Sequence, residues 1–291
     1  MTIRFDGQVA IVTGAGGGLG RAHALALAAR GARVLVNDLG NAAAVVAEIR
    51  AAGGQALASQ ASVSDAGAVA AMVDLAMAEW GRIDILINNA GILRDKSFAK
   101  SAMADFDAVI DVHLRGAWVC TQAVWEIMRA QGYGRVLMTT SSSGLYGNFG
   151  QANYAAAKAA LVGLMNTLAI EGAKHGIHVN ALAPAARTQM TEALLPAGDA
   201  ALLSPESVAP GALFLVSEGA PTRTILAAAA GVFALARTLE TPGIDLGPAP
   251  DVDDVAAAWG RIATQGDPEP LEAAWAQTQK FARRAGRRTG G

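Results

Sequence analysis

From Val9 to about residue 230, short runs of apolar, β-favouring residues alternate with longer Ala-rich stretches whose apolar positions recur at helical spacing. Runs such as Val34-Leu35-Val36 and Ile85-Leu86-Ile87 are apolar at every position rather than every second one. That pattern belongs to strands buried on both faces, as in a parallel sheet with helices on each side. It predicts strands near 8–13, 33–37, 55–59, 84–88, 134–140, 177–183 and 224–229, and helices near 18–30, 41–52, 65–80, 102–130, 153–174 and 205–217. The expected fold class is α/β, a Rossmann-type doubly wound parallel sheet of about seven strands with helices on both faces. From about Thr241 to Pro270 the chain turns rich in Pro, Gly and Asp, and a last helical pattern runs from Leu271 to Arg284. Arg283, Arg284, Arg287 and Arg288 make its end basic, which reads as a solvated tail. The expected organisation is a catalytic and nucleotide-binding domain over 1–240, followed by a partly helical C-terminal extension over 241–291.

Composition narrows the partners. The 291 residues are 52% hydrophobic and 16% charged, enough to bury a large core, with a formal net charge of -2. No broad basic field exists to attract nucleic acid or an anionic membrane, so neither is an expected partner. The single cysteine, Cys120, lies in an apolar stretch and reads as a small core thiol. Residues 1–8 carry charge without an apolar signal core, the apolar runs are too short or interrupted to span a membrane, and Arg287 to Gly291 do not read as an organelle address. The expected location is the cytoplasm. No metal site is expected.

After the first strand comes Thr13-Gly14-Ala15-Gly16-Gly17-Gly18-Leu19-Gly20, leading straight into the helical run 21–30. Gly14 suits the tight turn, Gly18 leaves room for a pyrophosphate to approach the backbone, and Gly20 lets the helix lie close on the strand. The helix N-terminus, from Leu19 on, then offers free N–H groups to a diphosphate. Such a cluster gains weight from context. Asp38 ends the second strand at about the distance expected of an acid that accepts the adenosine-ribose hydroxyls. It would repel a 2′-phosphate, and no basic residue occupies 15–19, so the expected cofactor is NAD rather than NADP. A plain turn or helix-capping role is the alternative for Asp38. Asn88-Asn89-Ala90-Gly91 closes the fourth strand, where Asn89, Ala90 and Gly91 can pass close to the ribose, and Ser62-Val63 is a weaker candidate for the adenine contact.

The fifth strand runs into Ser141, and Tyr154 and Lys158 follow at a spacing that puts phenol and ammonium on one helical face. Oxidising an alcohol by hydride transfer requires its hydroxyl proton to leave as well. Tyr154 is the candidate proton acceptor, Ser141 the donor that holds the substrate oxygen, and Lys158 the cation that favours the phenolate and reaches the nicotinamide ribose. Singly, each residue has an ordinary structural explanation. As an ordered set they do not.

Thr13 to Gly20, Asn88 to Gly91, Ser141, and Tyr154 with Lys158, in this order, resemble the short-chain dehydrogenase/reductase family over residues 5–231. The resemblance implies these residues' family roles: glycine-rich turn, structural amides, carbonyl-binding Ser, catalytic Tyr and Lys. The runs Asn88 to Asp95, Val112 to Gly116 and Tyr146 to Tyr154 are more narrowly similar to the (3R)-hydroxyacyl-CoA dehydrogenase units of type 2 peroxisomal multifunctional enzymes and their stand-alone bacterial relatives. That similarity implies NAD-linked oxidation of a (3R)-3-hydroxyacyl-CoA or of a hydroxysteroid. His113 falls where many family members carry an Asn whose backbone carbonyl holds a relay water, so it is either part of a proton relay or an ordinary packed histidine. The family's Pro-Gly after the sixth strand reads Pro184-Ala185 here, with Thr188 as the candidate bond to the nicotinamide carboxamide. Arg94, Lys96, Arg115 and Arg187 are candidate contacts to CoA phosphates. By the same resemblance the long helices over 102–130 and 153–174 imply a homodimer or homotetramer, with Trp118, Val119, Gln122, Trp125 and Met128 as a candidate stripe that also fits a core. The rival of a different class is a catalytically inactive NAD-binding regulatory protein, and within the enzymes a polyol or small-ketone reductase stays open.

Overall fold

The structure, a computed structural model, describes residues 2–186 and 202–286. Thr188 and Arg187 therefore lie outside the described residues, as do Arg287 and Arg288. Contacts divide the chain into two compact units, Met1–Leu235 and Ala236–Gly291.

In the first unit the strands are β1 (Val9–Thr13), β2 (Arg33–Asn37), β3 (Gln55–Ser59), β4 (Ile85–Asn88), β5 (Gly134–Thr139), β6 (Ile177–Ala185), β7 (Ile225–Ala229) and β8 (Val232–Ala236). They form one sheet in the order β3-β2-β1-β4-β5-β6-β7-β8, with β1 to β7 parallel. The helices are α1 (Gly18–Ala29), α2 (Ala42–Ala51), α3 (Ala66–Trp80), α4 (Met103–Ile110), α5 (Gly116–Gln131), α6 (Ser142–Tyr146), α7 (Ala152–Gly172) and α8 (Ala209–Leu215). The continuous apolar runs do what their pattern requires: Ile11, Leu35, Ile85, Leu86, Ile87, Leu137 and Met138 are completely buried in the middle of the sandwich. Because β4 returns to the far side of β1, the winding reverses between them, and the carboxyl ends of β1 and β4 part to leave a crevice.

The strand count is eight rather than seven. Ala230 and Gly231 both have positive φ, 51° and 76°, the geometry of a two-residue type I′ turn, and they fold the chain back from β7 into β8. The stretch expected as one helix over 102–130 is α4 and α5 joined through a π-helical turn, Asp111–Arg115. The helix expected over 205–217 is a 3₁₀ turn, Pro205–Ser207, followed by the shorter α8.

The second unit contains α9 (Val252–Thr264) and α10 (Ala274–Gly286). Asp251 starts α9 through a capping box with Asp254. Glu240 and Glu269 exchange backbone hydrogen bonds of 2.9 and 3.0 Å, and Lys280 on α10 pairs with the Glu240 carboxylate. No helix among the described residues is long and apolar enough to cross a membrane.

Candidate active site

The glycine turn lies at the β1 end of the crevice. Gly14 has a φ of +61°, and a Cβ there would sit 2.7 Å from the Ala90 Cα; at Gly20 a Cβ would lie 2.2 Å from the Gly14 carbonyl oxygen. Both positions require glycine if α1 is to start so close to β1 and β4. Gly18, with φ +50°, opens α1, whose N-cap residue Gly17 offers no side chain to the first-turn N–H groups, and Leu19 turns back to pack on the core. Asn89 clamps this arrangement: its Nδ2 donates to the carbonyls of Thr13 (3.0 Å) and Gly14 (3.1 Å), while Asn89 and Ala90 donate backbone N–H bonds to Thr13 Oγ1. The amide is thus a brace between β4 and the glycine turn.

Asp38 stands directly across that turn. Its carboxylate accepts from the backbone N–H of Gly16 (3.0 Å), Gly40 (2.8 Å) and Asn41 (3.1 Å), so it fixes the turn after β2 and puts negative charge beside the glycine loop. Ser62 is half-buried with its hydroxyl 3.5 Å from that of Ser64, and Val63 is buried in the wall of a small cavity lined also by Asn88, Ala90, His113 and Lys158. Pro184 is the penultimate residue of β6, opposite Ala228, so the strand continues through the position expected to shape a loop.

Ser141, Tyr154 and Lys158 come together at the carboxyl end of β5. Ser141 caps α6, its Oγ accepting from the Ser143 N–H at 3.2 Å, and its hydroxyl lies close enough to the Tyr154 phenol to act on its ionisation. Gly144 makes this approach possible, because a Cβ there would lie 2.7 Å from the Lys158 Cβ on α7. Lys158 is completely enclosed. Its Nζ donates to the Thr139 carbonyl at 2.5 Å and lies 5.5 Å from the centre of the Tyr154 ring, and burial lowers its pKa to about 7. Burial instead raises the Tyr154 phenol above its ordinary range; the nearby Ser141 hydroxyl opposes this and the Asp95 charge adds to it.

The π-helical turn carries His113 against the same phenol, ring to ring at 5.2 Å and edge-on. Its Nε2 contacts both the N–H (3.0 Å) and the carbonyl (2.8 Å) of Ile92, and Nδ1 has no protein partner. Desolvation, with Lys158 nearby, lowers its pKa to about 3, so the imidazole is neutral. Gly91 leaves it room, since a Cβ there would meet the ring at 2.4 Å.

A family model described as short chain dehydrogenase matches residues 8–197, a span that runs from β1 past Lys158 and β6. The chain belongs to that family. It is an oxidoreductase acting on CH–OH groups with a nicotinamide cofactor. Among its relatives, peroxisomal multifunctional enzyme type 2 of Mus musculus is 54% identical over 227 residues, 74% of this chain and 30% of that protein. The chain thus spans about a third of that relative's length. A putative short-chain type dehydrogenase/reductase of Mycobacterium tuberculosis is 46% identical over 88% of this chain and 93% of its own. A solved 7α-hydroxysteroid dehydrogenase, in complex with NADH and 7-oxo glycochenodeoxycholic acid, superposes with a TM-score of 0.74 at 33% identity, over 78% of this chain and 95% of that one.

The dehydrogenase site holds residues that spacing alone did not single out. Gln151, at the N-cap of α7, is buried and bonds to Asp95, Ser143 and Asn148. Its sequence signal is its place within the Tyr146 to Tyr154 run, three residues before Tyr154. Of the cations considered for CoA phosphates, Lys96 pairs with Asp105 at 2.8 Å and Arg115 with Asp111 at 3.6 Å, while Arg94 is exposed and bonds the Leu93 carbonyl. The candidate interface stripe divides: Met128 is core and Trp125 lies against Gly172, whereas Trp118 faces outward.

Proposed function

We propose that the chain oxidises a (3R)-3-hydroxyacyl-CoA to the 3-oxoacyl-CoA with NAD. The observation that carries this reading is the convergence of Ser141 at the start of α6 with Tyr154 and the enclosed Lys158 on α7, on the carboxyl edge that also holds the glycine turn. The cradle at Gly14 and Gly20 and the open N-terminus of α1 fit a dinucleotide diphosphate, and Asp38 beside Gly16 favours ribose hydroxyls over a 2′-phosphate, hence NAD. A nicotinamide bound there supplies the hydride acceptor. Ser141 then donates to the substrate oxygen, and Tyr154 Oη receives the hydroxyl proton as the carbinol hydride leaves; in reduction the same phenol returns the proton. Lys158, once charged, holds the phenolate form down in energy. These intact groups argue against an inactive NAD-binding regulator.

The substrate class rests on the similarity to multifunctional enzyme type 2 and on the rim next to Tyr154. The Lys96 N–H bonds the Gly150 carbonyl at 2.9 Å and so joins two segments bearing the highly exposed aromatics Phe98 and Phe149, with Tyr146 nearby in sequence. An apolar rim suits an acyl chain, and Arg94 and Lys96 on the same segment suit its phosphates. The likeness to a bile-acid dehydrogenase favours one second reading, a hydroxysteroid. Trp118 and Ile170, exposed on α5 and α7, support a homodimer or homotetramer.

The test is NAD reduction with (3R)-3-hydroxyacyl-CoA thioesters and hydroxysteroids. Turnover of a thioester is expected, falling by about 10²–10⁴-fold in Tyr154→Phe while NADH binding persists. Turnover of steroids alone would transfer the assignment to the second reading.

A further inference from the structure

Between β4 and α7 the polar groups are connected in a way that the three reactive residues do not require. Three hydrogen bonds tie the segment 94–96 to the start of α7: Asn153 Nδ2 to the Arg94 carbonyl (3.1 Å), Gln151 Nε2 to Asp95 Oδ2 (2.7 Å), and the Lys96 N–H to the Gly150 carbonyl (2.9 Å). Gln151 is only 4% exposed, and both lone pairs of its side-chain oxygen are engaged. Its Oε1 accepts from Ser143 Oγ (2.8 Å) and from Asn148 Nδ2 (3.0 Å). Ser143 in turn donates its backbone N–H to Ser141 Oγ. With one lone pair of that oxygen so engaged, the Ser141 hydroxyl has a fixed frame from which to aim its hydrogen.

We propose that Asp95 and Gln151 form a positioning pair that aims the Ser141 hydroxyl through Ser143 and places a negative charge within electrostatic reach of the Tyr154 phenol. The pair rests on the assignment of Ser141 and Tyr154 made above. Its order is fixed by chemistry: the carboxylate can only accept, so Gln151 must present its NH₂ to Asp95 and its carbonyl to Ser143. The charge acts on a phenol faced by His113, which is neutral, and by Lys158, whose ammonium is held at the Thr139 carbonyl. Arg94, exposed, and Lys96, already paired with Asp105, flank Asp95 on its own segment.

The experiment has a readout that needs no turnover. The chain has three tyrosines, Tyr133, Tyr146 and Tyr154, so fluorotyrosine labelling with Tyr154→Phe as the assignment control follows the Tyr154 titration in the full chain by fluorine NMR. Asp95→Asn, which keeps a hydrogen-bond partner and removes the charge, is expected to move that titration to lower pH, most at low salt, and to carry the pH profile of alcohol oxidation with it. Gln151→Glu sets two carboxylates against each other and is expected to lower kcat at least about tenfold. The double variant Asp95→Asn with Gln151→Glu restores donor facing acceptor and is expected to recover kcat to within about threefold of the native chain. An unmoved Tyr154 titration in Asp95→Asn, or a double variant no better than Gln151→Glu alone, overturns the proposal. A shifted titration in a protein that turns over no alcohol upholds the pair and sinks the functional reading.

Discussion

Lys158 gives up about as much proton affinity as His113 beside it, and its burial has a thermodynamic sign. Its folded pKa, about 7, lies below the ordinary 10.5. Above 10.5 both folded and unfolded forms are neutral. As the pH falls from 10.5 to 7 the unfolded chain binds the proton and the folded chain does not, so stability falls; below 7 both are charged and the penalty is constant. A Lys158→Met variant is therefore expected to abolish turnover yet gain a few kcal/mol of stability at pH 7, since each tenfold of lost proton affinity is worth about 1.4 kcal/mol, less the bond to Thr139. Urea unfolding at pH 7 and pH 10 measures this, and the gain should shrink at the higher pH. Asp38 carries the cofactor choice: Asp38→Ala is expected to raise the KM for NAD about tenfold, with a much smaller effect on NADP, by removing the carboxylate and freeing the Gly16 N–H. These residues were legible in the sequence because hydride chemistry admits few residue types and one helical spacing. Gln151 was not, since its partners at 95 and 143 meet it only once β4 and β5 are neighbours.

At the scale of elements, the contact between α6 and α7 decides whether the site is assembled. Gly144 is what lets α6, capped by Ser141, lie on the backbone of α7 at Lys158 and Ala159, where a Cβ would approach to 2.7–2.9 Å. Gly144→Ala must separate the helices by a few tenths of an ångström or more. It is expected to cost about 1–3 kcal/mol of stability and up to about 100-fold in kcat, with KM for NAD little changed. Thermal unfolding and steady-state kinetics would test this; normal kcat in a normally folded variant would show that the Ser141 to Tyr154 contact tolerates the displacement. The apolar runs gave seven strands because full burial leaves no ambiguity. β8 escaped notice: it is an edge strand whose first four residues are exposed, so burial never wrote a pattern into it, and only the Ala230-Gly231 turn marks it. The π-helical turn at His113 was equally invisible, because one extra residue in a turn leaves the apolar spacing on either side intact. In the second unit α9 was hidden by its Pro- and Gly-rich surroundings, though Asp251 and Asp254 carry a capping-box spacing.

The whole molecule adds up these local costs, and two imidazoles dominate its behaviour in mild acid. His23, on α1, is completely buried with neither ring nitrogen hydrogen-bonded, and burial lowers its pKa to about 4; His113 is lowered to about 3, and the half-buried His178 moves in the same direction. Below an ordinary value of 6.5 the unfolded chain protonates these rings while the folded chain leaves His23 and His113 neutral. Stability therefore declines as pH falls from 6.5 toward 4, by about 1.4 kcal/mol per pH unit for each fully retarded imidazole. Carboxylates whose pKa values are lowered, such as the exposed Glu48 and the half-buried Asp105, add their losses only at lower pH, so the window from 6.5 to 5 belongs mainly to histidine. His113 has a place in the site, and its replacement would confuse stability with activity. His23 has no such contact, so His23→Leu separates the two. It is expected to leave kcat near native, to stabilise the fold by about 1–2 kcal/mol at pH 7 by removing an unpaired polar ring, and to flatten the acid slope by roughly 1.4 kcal/mol per pH unit. Urea unfolding at pH 7, 6 and 5 gives that slope directly. A variant with the native slope would mean that His23 takes up its proton in the folded chain, which requires water or a shifted α1 to reach a ring now enclosed on every side.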